Sequence, residues 1–244
     1  MKDLAIHRLS SVASTMDDAR EIYLREPGPL VVRADVQTGG RGRLGRSWSS
    51  PAGGLWCTVA LPPPRALVDD PGLAGALGPL VGLAVVEALS GLVELEDLEL
   101  RWPNDVLAGE KKLSGVLVET TAGGPLLIGV GINANLDPAQ LGDGLRTPAT
   151  TLRELTGREH DLDELAIVVG RHVLGRVGSL GAVGIPSEVL EAIERRLAYR
   201  DRTVVVGDRS GSIVGLAPTG ALRLCTGAGL VEVVSGELSV RPAG

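Results

Sequence analysis

The sequence has no phenylalanine, only two cysteines, and only three lysines among its 24 basic residues. Cys57 and Cys225 stand far apart in apolar, strand-like stretches and match no metal or redox spacing. They read as small buried hydrophobes, which excludes a disulfide framework and a zinc site. No apolar run goes the roughly 20 residues that cross a bilayer without Gly, Pro or a charge, so no spanning segment is expected. The N-terminal MKDLAIHRLSSVAST carries a charge inside its only apolar patch, unlike a secretory signal, and the expected location is cytoplasmic. A formal charge of -6 speaks against a dedicated DNA-binding surface, and no membrane partner is expected.

What is present is ordinary for a soluble globular protein, with 44% hydrophobic and 22% charged residues in 244. The length suits one large domain, or a medium one with a small companion. Charge is not spread evenly. From Val36 to Val68 there is no acidic residue, while Arg41, Arg43, Arg46 and Arg65 fall there. That segregation suits an anionic small ligand, and equally a solvated basic face. With arginine used almost everywhere, the adjacent Lys111 and Lys112 suggest a place where a compact ammonium serves and a guanidinium does not.

Ser14 and Thr15 precede DDAREIYLR at capping-box spacing, so a helix is expected to open there. LVVRADVQ and GLWCTVALP read as strands joined by the Arg-rich segment, and LGPLVGLAVVEALSGL as a core helix. Between Leu95 and Asn133 three strands, LEDLELRW, KLSGVLVET and LLIGVGIN, are separated by turn residues, which predicts an antiparallel meander. Helical periodicity returns in LDELAIVVGRHVLGRVGSL and in SEVLEAIERRL, with Ser187 as N-cap. His172 reads as a core or rim residue, and neither His7 nor His160 has a catalytic partner in the sequence. From Ala198 on, TVVV, SIVGL, ALRL, LVEVV and LSV alternate with Gly-rich turns, the pattern of a small all-β barrel docked on the larger part. The predicted class is α+β, a mixed or antiparallel sheet packed with helices over residues 1–197 plus a β domain over 198–244.

Two constellations carry chemistry. GGRGRLGRSW, Gly39 to Trp48, alternates Gly and Arg so that backbone N–H groups and guanidinium forks can approach carboxylate or phosphate oxygens. It lacks the GxxxxGK[ST] spacing of a Walker loop, and a flexible basic surface loop is the plain alternative. Trp48 offers a ring to stack on a base or cover an apolar ligand. RWPNDVLAGEKKLSGVLVE, Arg101 to Glu119, puts Asn104 and Asp105 on a turn, where Asp105 has the chemistry to hold a metal ion and Asn104 that of an oxygen ligand, or both are plain turn residues. Lys112 begins the next strand, as a ligand contact or a solvated strand-end charge. Gly115 leaves room for a ligand against that strand. Asn133 closes GVGIN at the same sheet edge.

SVAST, QTGGRGRLGRSW, RWPNDVL followed by KLSGVLVE, GVGIN and the closing GELSVR resemble, in order and spacing, the biotin protein ligases, over nearly the whole chain. The resemblance implies a class II synthetase-like catalytic domain with an SH3-like C-terminal barrel. It also implies a ligase that joins biotin to ATP as biotinyl-5'-AMP and passes biotin to a lysine of a biotin carboxyl carrier domain, with magnesium. Ser14, Thr15 and Gln37 would meet biotin's ureido ring. Gly40, Arg41, Gly42 and Arg43 would close over biotin and its adenylate, Lys112 would contact the carboxylate, and Gly115 would flank the tail. Arg43, Arg46, Trp48, Asn104, Lys112 and Asn133 would serve the nucleotide, with Asp105 toward magnesium and Lys112, Arg41 and Arg43 as the catalytic set. Met16 departs from the family, which often has Asn after Ser-Thr. The chain starts almost on the catalytic domain, so it resembles the branch without an N-terminal DNA-binding module. Exposed β edges leave room for a weak homodimer.

Overall fold

A computed structural model describes residues 4–93, 95, 97–121, 123–142, 147–200 and 202–240. Lys2 and Arg241, the last residue of GELSVR, lie outside them. The larger sheet holds seven strands in the order β1-β2-β3-β7-β6-β5-β4. These are β1 (Ala5–Val12), β2 (Leu30–Gln37), β3 (Leu55–Leu61), β4 (Leu98–Arg101), β5 (Asp105–Ala108), β6 (Lys111–Thr120) and β7 (Leu126–Ile132). β1 runs parallel to β2 and every other pair is antiparallel, so the sheet is mixed, as the residue patterns suggest.

Period-two alternation sorts the side chains between two faces. On β7, Ile128, Val130 and Ile132 enter the main core, whereas Leu127 joins a smaller cluster with Met16, Ala19, Leu30, Val32 and Ala60. Three further helices are α1 (Thr15–Arg25), α2 (Arg65–Asp69) and α3 (Ala74–Val93). α1 starts where Ser14 accepts a hydrogen bond from the Met16 N–H and covers the smaller cluster. α3 fills the main core with Leu77, Leu80, Ala84 and Ala88 fully buried. With the turn before it, Pro71–Val93, it is long and apolar enough by length and composition to span a membrane, yet 72% of its most apolar 18-residue window is buried against the rest of the fold. It is a core helix. Behind it follow α4 (Leu152–Thr156), α5 (Leu162–Gly178), whose Leu165, Val169 and Val173 are buried, and α6 (Ser187–Glu194).

A second, five-stranded antiparallel sheet has the order β11-β10-β9-β8-β12, formed by β8 (Thr203–Val206), β9 (Arg209–Leu216), β10 (Leu222–Thr226), β11 (Gly229–Val233) and β12 (Leu238–Val240). The strands fall where the turn residues put them. Among the described residues they form an open sheet with β11 and β12 as edges, where a closed barrel was expected. Val204, Val206, Ile213, Leu216, Leu222 and Leu224 share the core of α3, and Trp102 Nε1 donates to the Gly220 carbonyl at 2.9 Å. The small sheet is therefore docked on the large one.

Four local expectations are corrected. β1 was not anticipated, because His7 and Arg8 interrupt its apolar residues, an interruption an edge strand tolerates. The turn expected around Asn104 and Asp105 is tighter than three strands allow, since Asp105 already opens a fourth, β5. Ser187 is the first helical residue of α6, and Pro186 is its N-cap. Cys225 is exposed on β10, whereas Cys57 is buried as expected, with burial pushing its thiol up to about 12.

Candidate active site

A cleft of about 890 Å³ opens on the sheet face beyond the N-terminus of α1. Its floor is bare: Gly115 on β6 pairs directly with Gly131 on β7, and Gly129 lies two residues back on the same face. Cations outnumber carboxylates in its lining, Arg41, Arg43, Arg46, Arg101, Lys112 and Arg202 against Asp105, Glu110 and Glu237, in a chain of net charge -6. Such a field draws anions.

At the inner end, Thr15 and Gln37 meet. The Thr15 N–H and hydroxyl both donate to Gln37 Oε1, at 2.9 and 3.0 Å, and the Thr15 hydroxyl also reaches that of the fully buried Thr58 at 2.8 Å. Gln37 Nε2 donates to the Ser50 hydroxyl at 2.9 Å. Ser14 is buried as the α1 N-cap and lines the cleft. Ser14, Thr15 and Gln37 thus line one end of the cleft, the last two joined by hydrogen bonds.

The Gly-Arg segment is a small hairpin. Arg41 bridges Ser47, Gly42 N–H donates to the Arg46 carbonyl at 2.7 Å, and Leu44 and Gly45 turn the chain with positive φ. Each of its guanidiniums has a partner. Arg41 grips Asp17 of α1 through two hydrogen bonds at 2.7 and 2.9 Å, with Glu119 close by. Asp17 is held below the usual carboxylate range chiefly by Arg41. Arg43 donates to Asn104 Oδ1 at 3.1 Å and the Gly236 carbonyl at 3.2 Å, and burial lowers its pKa. Arg46 pairs with Glu237. Such pairs contribute no more than about 1 kcal/mol when solvent-exposed, as the Arg41 and Arg46 pairs are, so an incoming anion can replace them.

Gly40 makes the hairpin possible. A Cβ there would overlap the Trp48 carbonyl oxygen and stand 2.7 Å from Ser50 Oγ. Gly40→Ala is expected to unlatch the segment and speed tryptic cleavage after Arg43 or Arg46 at least about tenfold with little change in melting temperature. Unchanged cleavage, measured by limited digestion, would show that the hairpin does not depend on this close approach.

Lys112 is the best-defined group in the cleft. A bulge in β6 opposite Val106 and Leu107 inserts Leu113, turning Lys112 onto the face of Gly115. Its backbone is fixed on both sides, by its own N–H to Pro148 O and by the Thr150 N–H to its carbonyl. The Asn133 side chain donates to the carbonyls of Lys112 and Thr150 at 3.3 and 3.1 Å. The ammonium lies 2.6 Å from Asp105 Oδ1 and 4.8 Å from the centre of the Trp48 ring. Burial pulls its pKa below the ordinary lysine value, with Asp105 opposing that pull. It is no solvated strand-end charge.

Trp48 lies flat on the glycine floor, where Cβ atoms at Gly115 or Gly131 would come within 2.8 Å of its ring. Trp56 packs edge-on to it, 6.4 Å away. Asn104 is pinned by Nδ2 to the Val116 carbonyl at 2.6 Å.

Asp105 was expected to face a metal ion. Its oxygens are instead shared between Lys112 and Arg101, the latter also bonded to Thr147 at 2.6 Å, and among the described residues no group of three His, Cys, Asp or Glu gathers around it. This donor set does not fit a resident metal ion. Arg101, Tyr199 and Arg202 also line the cleft and went unremarked. Arg101 opens the RWPND motif and so had a local signal, but the other two arrive from beyond α6, and nothing local announces them.

The mixed sheet and its helices resemble those of solved biotin protein ligases. A biotin protein ligase from Aquifex aeolicus, in complex with biotin and ATP, superposes with a TM-score of 0.83 at 33% identity, covering 98% of this chain and 99% of that one. A Mycobacterium tuberculosis biotin--[acetyl-CoA-carboxylase] ligase is 31% identical over 216 residues, 86% of this chain and 78% of the relative. The bifunctional ligase/repressor BirA of Bacillus subtilis is 35% identical over 158 residues, and the match spans 46% of its length, a little under half. The biotin/lipoate A/B protein ligase family matches residues 9–137. The chain belongs to that family.

Proposed function

We propose that the chain activates biotin with ATP to biotinyl-5'-AMP and then transfers biotin to a lysine of a biotin carboxyl carrier domain of a carboxylase. The observation that carries this reading is the position of Lys112, a largely buried ammonium beside the glycine floor of a cleft that Arg41, Arg43 and Arg46 also line. Two anions must meet for the acid to be activated. The carboxylate oxygen attacks the α-phosphorus, the bond to the β-phosphate oxygen breaks, and pyrophosphate leaves. Lys112, Arg41 and Arg43 neutralise that approach and the charge that builds up in the transition state. Magnesium enters with ATP as part of that substrate. Ser14, Thr15 and Gln37 present the polar groups for the ureido ring, and Trp48, Asn104 and Arg46 form the nucleotide side. The acceptor amine next attacks the acyl carbon, forms the amide and releases AMP, while the closed hairpin keeps water away. The chain's own nucleophiles take no part. The companion domain proposed for residues 198–244 supplies one wall through its described residues Glu237 and Ser239.

Transfer is tested with a purified carrier domain, biotin and MgATP. The acceptor is expected to gain the mass of one biotinyl group, and a carrier whose target lysine is changed to arginine is expected to gain none. Equal labelling of both carriers would refute specific transfer.

A further inference from the structure

Met16 is the second residue of α1 and is 3% exposed, yet it lines the cleft beside Cys57 and Leu117. Its side chain runs over the one stretch of sheet that has no side chain of its own. A Cβ at Gly129 would stand 3.3 Å from Met16 Sδ and 3.6 Å from its Cγ. Gly129 pairs with Thr58 on one side and Leu117 on the other, and Thr58 is bonded to Thr15. The thioether therefore lies beside the polar network of Thr15 and Gln37, at the point where the smaller hydrophobic cluster ends and the cleft begins. Trp48 covers the next level, Gly115 and Gly131.

The bare face is thus divided between two side chains, the methionine closing its inner end and the indole its outer one. Along a strand, two residues span roughly 7 Å, so the distance from the Met16 level to the Trp48 level is about that of a small ring. A thioether on three rotatable bonds yields a little, but it fills its volume. Met16 belongs to that cluster with Ala19, Leu30, Val32, Ala60 and Leu127, and it also borders the cleft.

We propose that Met16 is a specificity-determining residue that sets the size of the acid's head group, by closing the inner end of the pocket over Gly129. This rests on the reading of the chain as a biotin-activating enzyme. The substrate class is a carboxylic acid with a compact ring, whose polar edge meets Ser14 and Thr15 and whose carbon edge meets the thioether.

The test is ATP–pyrophosphate exchange with biotin, with the smaller desthiobiotin, and with a biotin analogue enlarged by an alkyl group on the ring. Exchange by the unaltered enzyme with biotin tests the reading itself, and none with any acid would overturn that reading first. Given exchange, Met16→Ala is expected to raise the KM for biotin about tenfold with a smaller change in kcat. It should also improve the enlarged analogue relative to biotin by at least tenfold in kcat/KM. Met16→Leu, of similar volume, is expected to restore the original ranking. Gly129→Ala works in the opposite sense: its new methyl pushes the thioether into the pocket, so biotin suffers more than desthiobiotin. That variant decides the matter if Met16→Ala does not fold. Equal losses for all three acids in Met16→Ala and Gly129→Ala, or a lowered melting temperature with the ranking intact, would make Met16 a packing residue and overturn the proposal.

Discussion

Replacing Lys112 by arginine is expected to slow adenylate formation nearly as much as replacing it by alanine, by on the order of 100-fold or more, although the charge is kept. The reason is room. The ammonium sits 2.6 Å from Asp105 Oδ1 and 4.8 Å from the Trp48 ring centre, and its Cε is 3.2 Å from where a Gly115 side chain would begin. A planar guanidinium is wider than that slot and would swing its charge away from the floor where the carboxylate and the α-phosphate meet. Because charge grows as the anions approach, the loss should fall on kcat as well as on the KM for biotin. Folding should suffer little, since Arg101 continues to neutralise Asp105 when the lysine is gone. Single-turnover adenylation rates with melting temperatures decide it. A near-normal rate for Lys112→Arg would remove the lysine from this geometric role, and a large fall in melting temperature in both variants would recast it as structural.

Adding one methyl group at Gly131 should have an effect of similar size on the nucleotide. A Cβ there stands 2.8 Å from Cε2 and Nε1 of Trp48, and a rigid indole packed beside Lys112 and Trp56 has no short way to yield. Gly131→Ala is expected to lift the ring off the floor and raise the KM for ATP by about 30-fold or more, with a much smaller change in that for biotin, whose proposed site lies further in. The strand itself should tolerate alanine, which it favours over glycine by up to about 1 kcal/mol. An ATP KM within twofold of the unaltered enzyme would show that Trp48 does not serve the nucleotide from this position.

These two sites also show what was legible in the sequence. The Gly-Arg segment, the RWPND turn and the KLSGVLVE strand are local patterns, and the structure brings Lys112, Gly115, Trp48, Asn104 and Asn133 to one cleft. Their order along the chain did not reveal the pairings across it. Asp105 reads as an open carboxylate until the bulge at Leu113 turns Lys112 toward it, and no side-chain alternation marks a bulge. Arg41 and Asp17, 24 residues apart, meet only because α1 and the hairpin leave the same end of the sheet. β5 was missed because its few residues lie between two runs of turn formers, and the terminal strands were placed correctly while their closure into a barrel was not, since a two-residue period fixes faces and leaves pairing partners open. The cleft's third wall, from Tyr199 to Ser239, depends on how the second sheet docks through Trp102 and Gly220.

The central claim, that this cleft activates biotin, is tested most directly by ATP–pyrophosphate exchange with biotin, lipoate or octanoate as the only acid. The geometry of Ser14, Thr15 and Gln37 at one end and Lys112 at the other predicts exchange with biotin and at least about 100-fold less with either competitor, neither of which has a ureido group, because a polar site left unpaired rejects its ligand's analogues by factors of that size or more. Exchange with lipoate or octanoate equal to or greater than that with biotin would contradict it.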